Sequence, residues 1–599
     1  MSSGILSRRD FLKGLCVGSL AIAGCGPMLE NARGAGKRPN VILVMTDDQG
    51  YGDLGATGNN LIRTPNIDAM ARRSGSMDNF YVSPVCAPTR ACLMTGRYNY
   101  RTRVVDTWLG RAMMETQETT IAEILRDAGY ETGIFGKWHL GDNYPMRPMD
   151  QGFTESLVHR GGGIGQPADP PGGEGKYTDP ILMDNGQPKQ FKGYCTDVYF
   201  DRAMSWMSEC VDQSKSFFAY IPTNAPHGPF NDVPEDLYKK YKAMDLSNRN
   251  FPQDKGHKLP NDNDPDKRAR IYAMITNIDD NMGKLFDKLD QLGITGNTIV
   301  IFLVDNGPNG RRYVAGFKGM KSHVHEGGIH SPFFFQWPGV VRPGASSDRI
   351  AAHIDVLPTI LEACGVARPK GLELDGRSIL PLLQGKRIAW RDRTIYIQSH
   401  RGDVPVRYHH FAARNQRWKL LHGSGFGREN FEGRPKFELY DMAADPLEQN
   451  DLAAQRPDIV EAMRREYEAW FADVSGTRAD NYAPPKIYIG TVHENPVVLT
   501  RQDWRHAKGR PWAGDSNGYW ELYAARAGKY DIKIDFPAAN TGGELLLEVS
   551  GRKMSRTIEK GRTSATFMDE RIDKGPTRLM ATLILDGNKK GPWHVNISW

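Results

Sequence analysis

Apolar and polar positions along the chain follow a repeated grammar. Val41-Ile-Leu-Val-Met45 is an unbroken aliphatic run that stops at Thr46-Asp47-Asp48 and a Gly-rich turn, in the stretch VILVMTDDQGYGDLG. Such a run predicts a strand buried on both faces with a polar carboxyl end. The same pattern returns where Glu131-Thr-Gly-Ile-Phe-Gly136 runs into Lys137-Trp138-His139, SFFAYIPT into Asn224-Ala-Pro-His227, and TIVIFLV into Asp305-Asn306-Gly307. Between these runs, TIAEILRDAG and RIYAMITNIDDNMGKLFDKLDQLG repeat apolar residues at helical spacing. Strands alternating with helices predict an α/β fold whose large, mostly parallel sheet is sandwiched by helices.

The grammar changes towards the carboxyl end. From about Arg391 short strands and turns (RTIYIQSH, HHFAARNQRWKLLHG, KFELYD) precede a helix around Asp458 to Phe471, which predicts a small antiparallel subdomain. Beyond Tyr482, short strands with Gly turns (YWELYAARAGKYDIKIDFP, GELLLEVSG, RLMATLILDG, WHVNISW) predict an extra β-sandwich-like domain. The expected division is 1–36 signal and linker, 37–390 catalytic domain, 391–480 small α+β subdomain and 481–599 accessory β-rich domain. Arg160 to Lys176, Gly/Pro-rich, is expected to be an exposed excursion near the site. Trp504, Trp512 and Trp520, if exposed, could stack on sugar rings, although aromatic residues in sandwiches more often fill the core.

Length fits this division, since 599 residues exceed what one hydrophobic core organises. Hydrophobic content of 39% and charged content of 25% lie in the soluble globular range. The net charge of +6, not concentrated in one block, gives no basis for nucleic-acid binding. At the start, Ser7-Arg8-Arg9-Asp10-Phe11-Leu12-Lys13 precedes a short apolar run, Gly14 to Gly24, and reads as a twin-arginine export signal. Ile22-Ala23-Gly24-Cys25 resembles the lipobox of bacterial lipoproteins, in which the cysteine is acylated; an ordinary secretory signal cut a few residues later is the alternative. The expected location is therefore periplasmic or lipid-anchored at the bacterial cell envelope. The expected membrane contact is through that anchor alone.

In open α/β sheets the ligand site lies outside the carboxyl ends of the strands, so the four polar ends should converge. Asp47, Asp48, Asp305 and Asn306 offer oxygen ligands, which suit Ca²⁺ or Mg²⁺. His323, His325 and His330 in KSHVHEGGIH could instead join the aspartates in a zinc site. Cys86, in VCAPTRACLMTGRY, has three ordinary explanations: a small buried hydrophobe, half of a disulfide with Cys92, or a thiolate activated by Arg90. Among the seven cysteines, Cys16 leaves with the signal, and Cys92, Cys195, Cys210 and Cys364 could pair in an oxidising compartment.

Together these residues resemble the type I, formylglycine-dependent sulfatases of alkaline-phosphatase-like fold. The matches are Cys86-Ala-Pro-Thr-Arg90 with Leu93-Met-Thr-Gly-Arg97, Gly129 to His139, Asp47-Asp48, Pro226-His227, Asp305-Asn306-Gly307, Lys321 placed five before Glu326-Gly-Gly, and Glu438-Leu-Tyr-Asp-Met with Asp445-Pro-Leu-Glu. They run from about Asn40 to Leu452. Thr89 departs from the family's commoner Ser or Ala, and His330 stands where Arg is usual.

The resemblance implies that Cys86 is oxidised to formylglycine by a formylglycine-generating enzyme or an anaerobic maturase, which reads the motif on the unfolded chain. The hydrated aldehyde would offer one hydroxyl to attack sulfur, and its second would expel sulfate by elimination. By position, Asp47, Asp48, Asp305, Asn306 and residue 86 would hold Ca²⁺, with Mg²⁺ the alternative. Arg90 would stabilise the nucleophile, His139 would assist elimination, His227 would protonate the departing alcohol, and Lys137 and Lys321 would hold sulfate oxygens. The expected substrate is a sulfated glycan or aryl sulfate. The competing functions are a phosphate or phosphonate monoester hydrolase with the same machinery, and a non-catalytic glycan-binding lipoprotein. Twin-arginine export machinery is a further expected partner.

Overall fold

A computed structural model describes residues 38–599, apart from 174, 254, 260–263, 428–430, 478–479, 481, 507–509 and 586. The export signal and Cys25 lie outside the described residues. No helix among those described is long and apolar enough to cross a membrane.

The apolar runs form the centre of one large mixed sheet. Its strands are β1 (Asn40–Thr46), β2 (Gly75–Tyr81), β3 (Glu131–Lys137), β4 (Glu155–His159), β5 (Ile181–Asp184), β6 (Gln187–Gln190), β7 (Phe217–Pro222), β8 (Thr298–Val304), β9 (His330–Ser331), β10 (Phe333–Gln336) and β11 (Ser346–Ala352). The order is β11-β2-β10-β8-β1-β7-β3-β4-β5-β6, with β9 paired to β2. The contiguous set β8-β1-β7-β3-β4 is parallel, with Thr46 opposite Val304 and Met45 opposite Pro222. β10 runs antiparallel to both β2 and β8.

Alternation along these strands feeds two cores. Val41, Leu43 and Met45 pack on one face with Ile299, Ile301 and Leu303, against the helices Cys86–Thr95, Ile121–Asp127 and Val356–Cys364. Ile42 and Val44 pack on the other face with Val300, Phe302 and Val304, against Cys195–Asp212 and Pro265–Gln291. Every residue of β1 and β8 is buried, which is why these runs lack polar alternation. Each such aliphatic side chain contributes about 1.5–3 kcal/mol of burial free energy. The helix Ile121–Asp127 starts at a reciprocal cap: Glu123 N–H donates to Thr120 Oγ1 and Thr120 N–H to Glu123 Oε2, both at 3.1 Å.

Ile395–Gln398, Phe411–Arg414, Trp418–His422 and Glu438–Asp441 form a four-stranded antiparallel sheet. The helix Pro457–Ser475 shares its core through Met463, Tyr467 and Trp470. Residues beyond 486 build a seven-stranded and a four-stranded sheet, antiparallel except for the pairing of Ile487–Ile489 with Gly518–Ala524.

Two open alternatives are resolved here and one expectation, the exposed loop, is corrected. Trp504 and Trp520 are fully buried in the carboxy-terminal core and offer no face to a sugar. Trp512 is half-buried, edge-on to Trp108 at 5.4 Å. The Arg160 to Lys176 loop is not an exposed excursion throughout, because Arg160 to Ile164 are buried before the chain turns outward. Cys86 and Cys92 are not bonded to each other; both are buried free thiols, as are Cys195, Cys210 and Cys364.

Candidate active site

The parallel strands β8, β1, β7 and β3 deliver their polar ends to one place. Asp47 and Asp48 follow β1, Asp305 and Asn306 follow β8, Lys137 closes β3 with His139 two residues on, and His227 lies five residues beyond β7. Cys86 opens the helix Cys86–Thr95, whose residues are all buried. A helix amino terminus favours negative charge, so residue 86 stands where an anionic oxygen would be stabilised.

One donor atom from each of Asp47, Asp48, Cys86 and Asp305 lies within 4.8 Å of the others, and all four residues are buried. Asp48 N–H donates to Asp305 Oδ1 at 3.1 Å, and Asn306 Nδ2 donates to Asp48 Oδ1 at 2.9 Å. Asp48 Oδ2 and Asn306 Oδ1 are buried without a hydrogen-bond partner. Burial first, and then Asp47, pushes the Asp305 carboxyl well above the usual carboxylate range. Crowded carboxylates with orphaned oxygen lone pairs fit a divalent cation, because its charge offsets their repulsion and desolvation. Among the described residues, none of His323, His325 and His330 supplies an atom to this cluster. His330 Nδ1 donates to Glu326 Oε2 and its Nε2 meets Asp78 O, both at 2.8 Å, and His325 lies 3.4 Å from Glu438. The zinc arrangement with the aspartates is thereby overturned.

The cationic residues are placed by the same carboxylates. Lys137 Nζ donates to Asp47 Oδ2 at 2.5 Å, and Lys321 Nζ lies 2.5 Å from Asp48 Oδ1 and 3.5 Å from Cys86 Sγ. Arg90 bridges Asp305 Oδ2 at 2.8 Å and Lys137 O at 3.0 Å, which ties the residue 86 helix to β8 and β3. Thr89 adds a second tie: its hydroxyl donates to Asp305 O at 2.7 Å and accepts from Ser83 N–H at 3.0 Å. Cys86 itself is held as a thiol, since burial and then Asp47 push it up to about 12. That environment does not favour an activated thiolate.

Both histidines are neutral and each is oriented by a carbonyl. His139 Nε2 lies 2.9 Å from Thr107 O, an obligate acceptor, so Nε2 carries the proton and Nδ1 keeps a lone pair. That Nδ1 is buried without a partner, and burial, then Lys137, holds the ring well below the usual histidine pKa. His227 Nδ1 donates to Gly228 O at 2.8 Å, leaving Nε2 3.6 Å from Asp48 Oδ2. Burial lowers its pKa to about 4, outweighing Asp48. Asp48 (φ 60°) and His139 (φ 61°) adopt left-handed backbone, at about 1–3 kcal/mol each. Gly162 and Gly163 lie against these rings: a Cβ would stand 3.1 Å from His139 Cε1 at the first and 2.7 Å from His227 Cε1 at the second.

Every strand-end residue singled out from the sequence thus reaches this site. Sequence patterning gave no sign of Thr107, whose carbonyl orients His139 from 32 residues away. It also gave no sign of Lys419, buried between Glu326 at 2.8 Å and Glu448 at 2.7 Å. His330 completes that cluster, so its departure from Arg keeps a partner for Glu326.

The family described as Sulfatase matches residues 39–366, and N-sulphoglucosamine sulphohydrolase, C-terminal, matches 318–470. An N-acetylglucosamine-6-O-sulfatase of Bacteroides thetaiotaomicron is 27% identical over 520 residues, covering 73% of this chain and 86% of that protein. An N-acetylgalactosamine-6-sulfatase of Canis lupus familiaris is 30% identical over 414 residues, covering 64% and 72%. Among solved structures, Ps i-CgsB in complex with k-i-k-neocarrahexaose superposes with a TM-score of 0.61 at 26% identity, covering 73% of this chain and 93% of that one. With such matches laid over this strand-end constellation, the chain belongs to the sulfatase family and is a sulfuric ester hydrolase.

Proposed function

We propose that the protein removes sulfate from a sulfated glycan outside the cytoplasm, with residue 86 matured to formylglycine and Ca²⁺, or Mg²⁺ in its place, held by Asp47, Asp48, Asp305 and Asn306. The observation that carries this is the pairing of an all-oxygen carboxylate cluster with two ammonium groups beside residue 86. The names of the relatives, which act on 6-sulfated amino sugars, support a glycan as substrate. The Ser7-Arg8-Arg9 signal and Cys25 support export and anchoring at the envelope.

The aldehyde hydrate would supply the nucleophilic hydroxyl, and a cation held by Asp47, Asp48, Asp305 and Asn306 would compensate its negative charge. Lys137 and Lys321 each spend part of their three donors on Asp47 and Asp48 and keep the rest for sulfate oxygens. His139, neutral with its lone pair on Nδ1, accepts a proton at that atom. His227 Nε2 returns a proton to the departing alcohol oxygen; the negative charge of a bound ester raises its depressed pKa and charges that atom. His227 and Lys321 keep the most side-chain exposure in the group, 11% and 17%, so the ester enters past them.

Paired kinetics on an aryl sulfate and an aryl phosphate with the same leaving group test the reaction. The expected outcome is a kcat/KM for sulfate at least about a hundredfold above that for phosphate. The reverse ranking would replace this function with phosphomonoester hydrolysis. Peptide mass spectrometry from a host with an active maturase should find an aldehyde at residue 86. A thiol alone would refute the maturation.

A further inference from the structure

The family matches end at residues 366 and 470, yet a later segment reaches the active site. The strand Val497–Thr500 leads into Arg501-Gln-Asp-Trp504, and all four of these residues are buried. Trp504 is rooted in the carboxy-terminal core beside Trp520, and Arg501 donates to Pro592 O and Gly591 O at 2.7 Å. From this base the turn grips the catalytic domain. Asp142 N–H donates to Asp503 Oδ2 at 3.1 Å, Gly110 N–H donates to Gln502 O at 3.4 Å, and Gln502 Nε2 donates to Thr107 O at 2.8 Å. Thr107 O is also the oxygen that receives His139 Nε2–H at 2.9 Å. A carbonyl oxygen has two lone pairs, and here both are taken.

We propose that Gln502 is a positioning residue for His139: by fixing the Thr107 carbonyl, the carboxy-terminal β region selects the His139 tautomer that leaves Nδ1 free as a base. The inference rests on the sulfatase reading only for the use made of that base. Two features of the geometry support it. The amide must present its NH₂ to Thr107, because its oxygen would face another acceptor. The Thr107 segment has other ties: Arg401 reaches Asp106 and Thr107 Oγ1 and lies over the Trp108 ring, Thr107 N–H donates to Asp106 Oδ1 at 2.6 Å, Arg111 N–H donates to Trp108 O at 2.8 Å, and Arg505 reaches Leu109 O, but none of these touches the Thr107 carbonyl. Without Gln502 that carbonyl would lose one of its two donors, and its hold on the His139 ring, which distinguishes the two nitrogens, would loosen.

Gln502→Met keeps the volume and removes the donor, while Gln502→Glu keeps the shape and sets an acceptor against Thr107 O. ¹⁵N-histidine-labelled protein with Cys86 unconverted reports the tautomer without turnover, the His139 signals being assigned by their loss in His139→Gln. The wild type should show Nε2–H alone, and both variants a mixture of Nε2–H and Nδ1–H. In the matured enzyme both should lose about tenfold in kcat on an aryl sulfate, with KM within about twofold. Arg505→Ala, which loosens the same junction at Leu109 and Asp403, should keep the wild-type tautomer. A single Nε2–H tautomer in both Gln502 variants overturns the proposal, as does the same mixture in Arg505→Ala. Should the wild type lack sulfatase activity while the tautomer still follows Gln502, the proposed reaction fails and the positioning role stands.

Discussion

Lys321 holds its ammonium 3.5 Å from the sulfur of Cys86 while anchored 2.5 Å from Asp48. Burial opposes the charge most, but Asp48, Cys86 and Asp47 together outweigh it and keep the ammonium protonated beyond the usual lysine range. A point charge fixed by one carboxylate is thereby aimed at the nucleophile position and at the sulfate that will meet it. Lys321→Ala should lower kcat on an aryl sulfate by about 10²–10³-fold, as for loss of one preorganised oxyanion donor. Lys321→Arg should rescue little, because a planar guanidinium cannot take the same place between Asp48 and residue 86. Full activity in steady-state assays of either variant would remove Lys321 from the chemistry.

The elimination route predicts a trapped enzyme. Cys86→Ser supplies one hydroxyl, enough to accept a sulfuryl group and too few to expel it. The variant should accumulate a sulfate ester on that peptide, seen as a mass gain, with little sustained turnover. Steady rapid turnover without the adduct would mean that water attacks sulfur directly.

Removing the cation should destabilise the fold, since buried carboxylates then repel one another without compensation. Chelation should lower the melting temperature and addition of Ca²⁺ or Mg²⁺ restore it, a stabilisation of about 2.7 kcal/mol at a hundredfold excess over Kd. Asp305→Asn should blunt the response and lower metal occupancy together with turnover. Stoichiometric zinc in the purified active enzyme would contradict the oxygen-ligand assignment.

Acid should unfold the protein through histidines outside the site. His353, His400 and His410 are buried, and burial lowers each to about 3. In each ring one nitrogen accepts a backbone N–H: from Ile354 at 3.0 Å, Val406 at 3.3 Å and Gly425 at 3.1 Å. Protonation would set two N–H groups against each other. The folded pKa lies below the unfolded 6.5, so their contribution is complete above pH 6.5 and is lost as pH falls towards 3. Three such groups give a slope of roughly 4 kcal/mol per pH unit at most. His353→Gln should reduce it by about a third in denaturant titrations at several pH values. A stability that stays flat from pH 7 to 4 would show that other groups compensate.

The sheet centre and its ligand ends were legible because they are local. Val41 to Met45 and Thr298 to Val304 are apolar throughout since both faces are covered, and Asp47-Asp48 and Asp305-Asn306 follow them directly. The short antiparallel β10 and β9 gave no such signal: four and two residues are too few to display a period. Contacts made by backbone atoms across long separations were also invisible. Gln502 meets Thr107 across 395 positions, and any residue could have carried the same carbonyl. Thr89 was noticed as a departure, but its two hydrogen bonds follow only from the packing of its helix on β8.

Cys86 is 2% exposed, Ala87, Pro88, Thr89 and Arg90 are buried beside it, and Arg90 is clasped by Asp305 and the Lys137 carbonyl. The pentapeptide that the proposed maturing enzyme would have to grasp is buried once the sheet has closed. If residue 86 is matured as proposed, maturation and folding would be rivals for the same nascent chain, and the active fraction would be a branching ratio between two rates. A substitution that hastens collapse around Arg90 would yield more folded protein and less enzyme. Slower synthesis or a more abundant maturase would shift the balance the other way, with no change in the final fold.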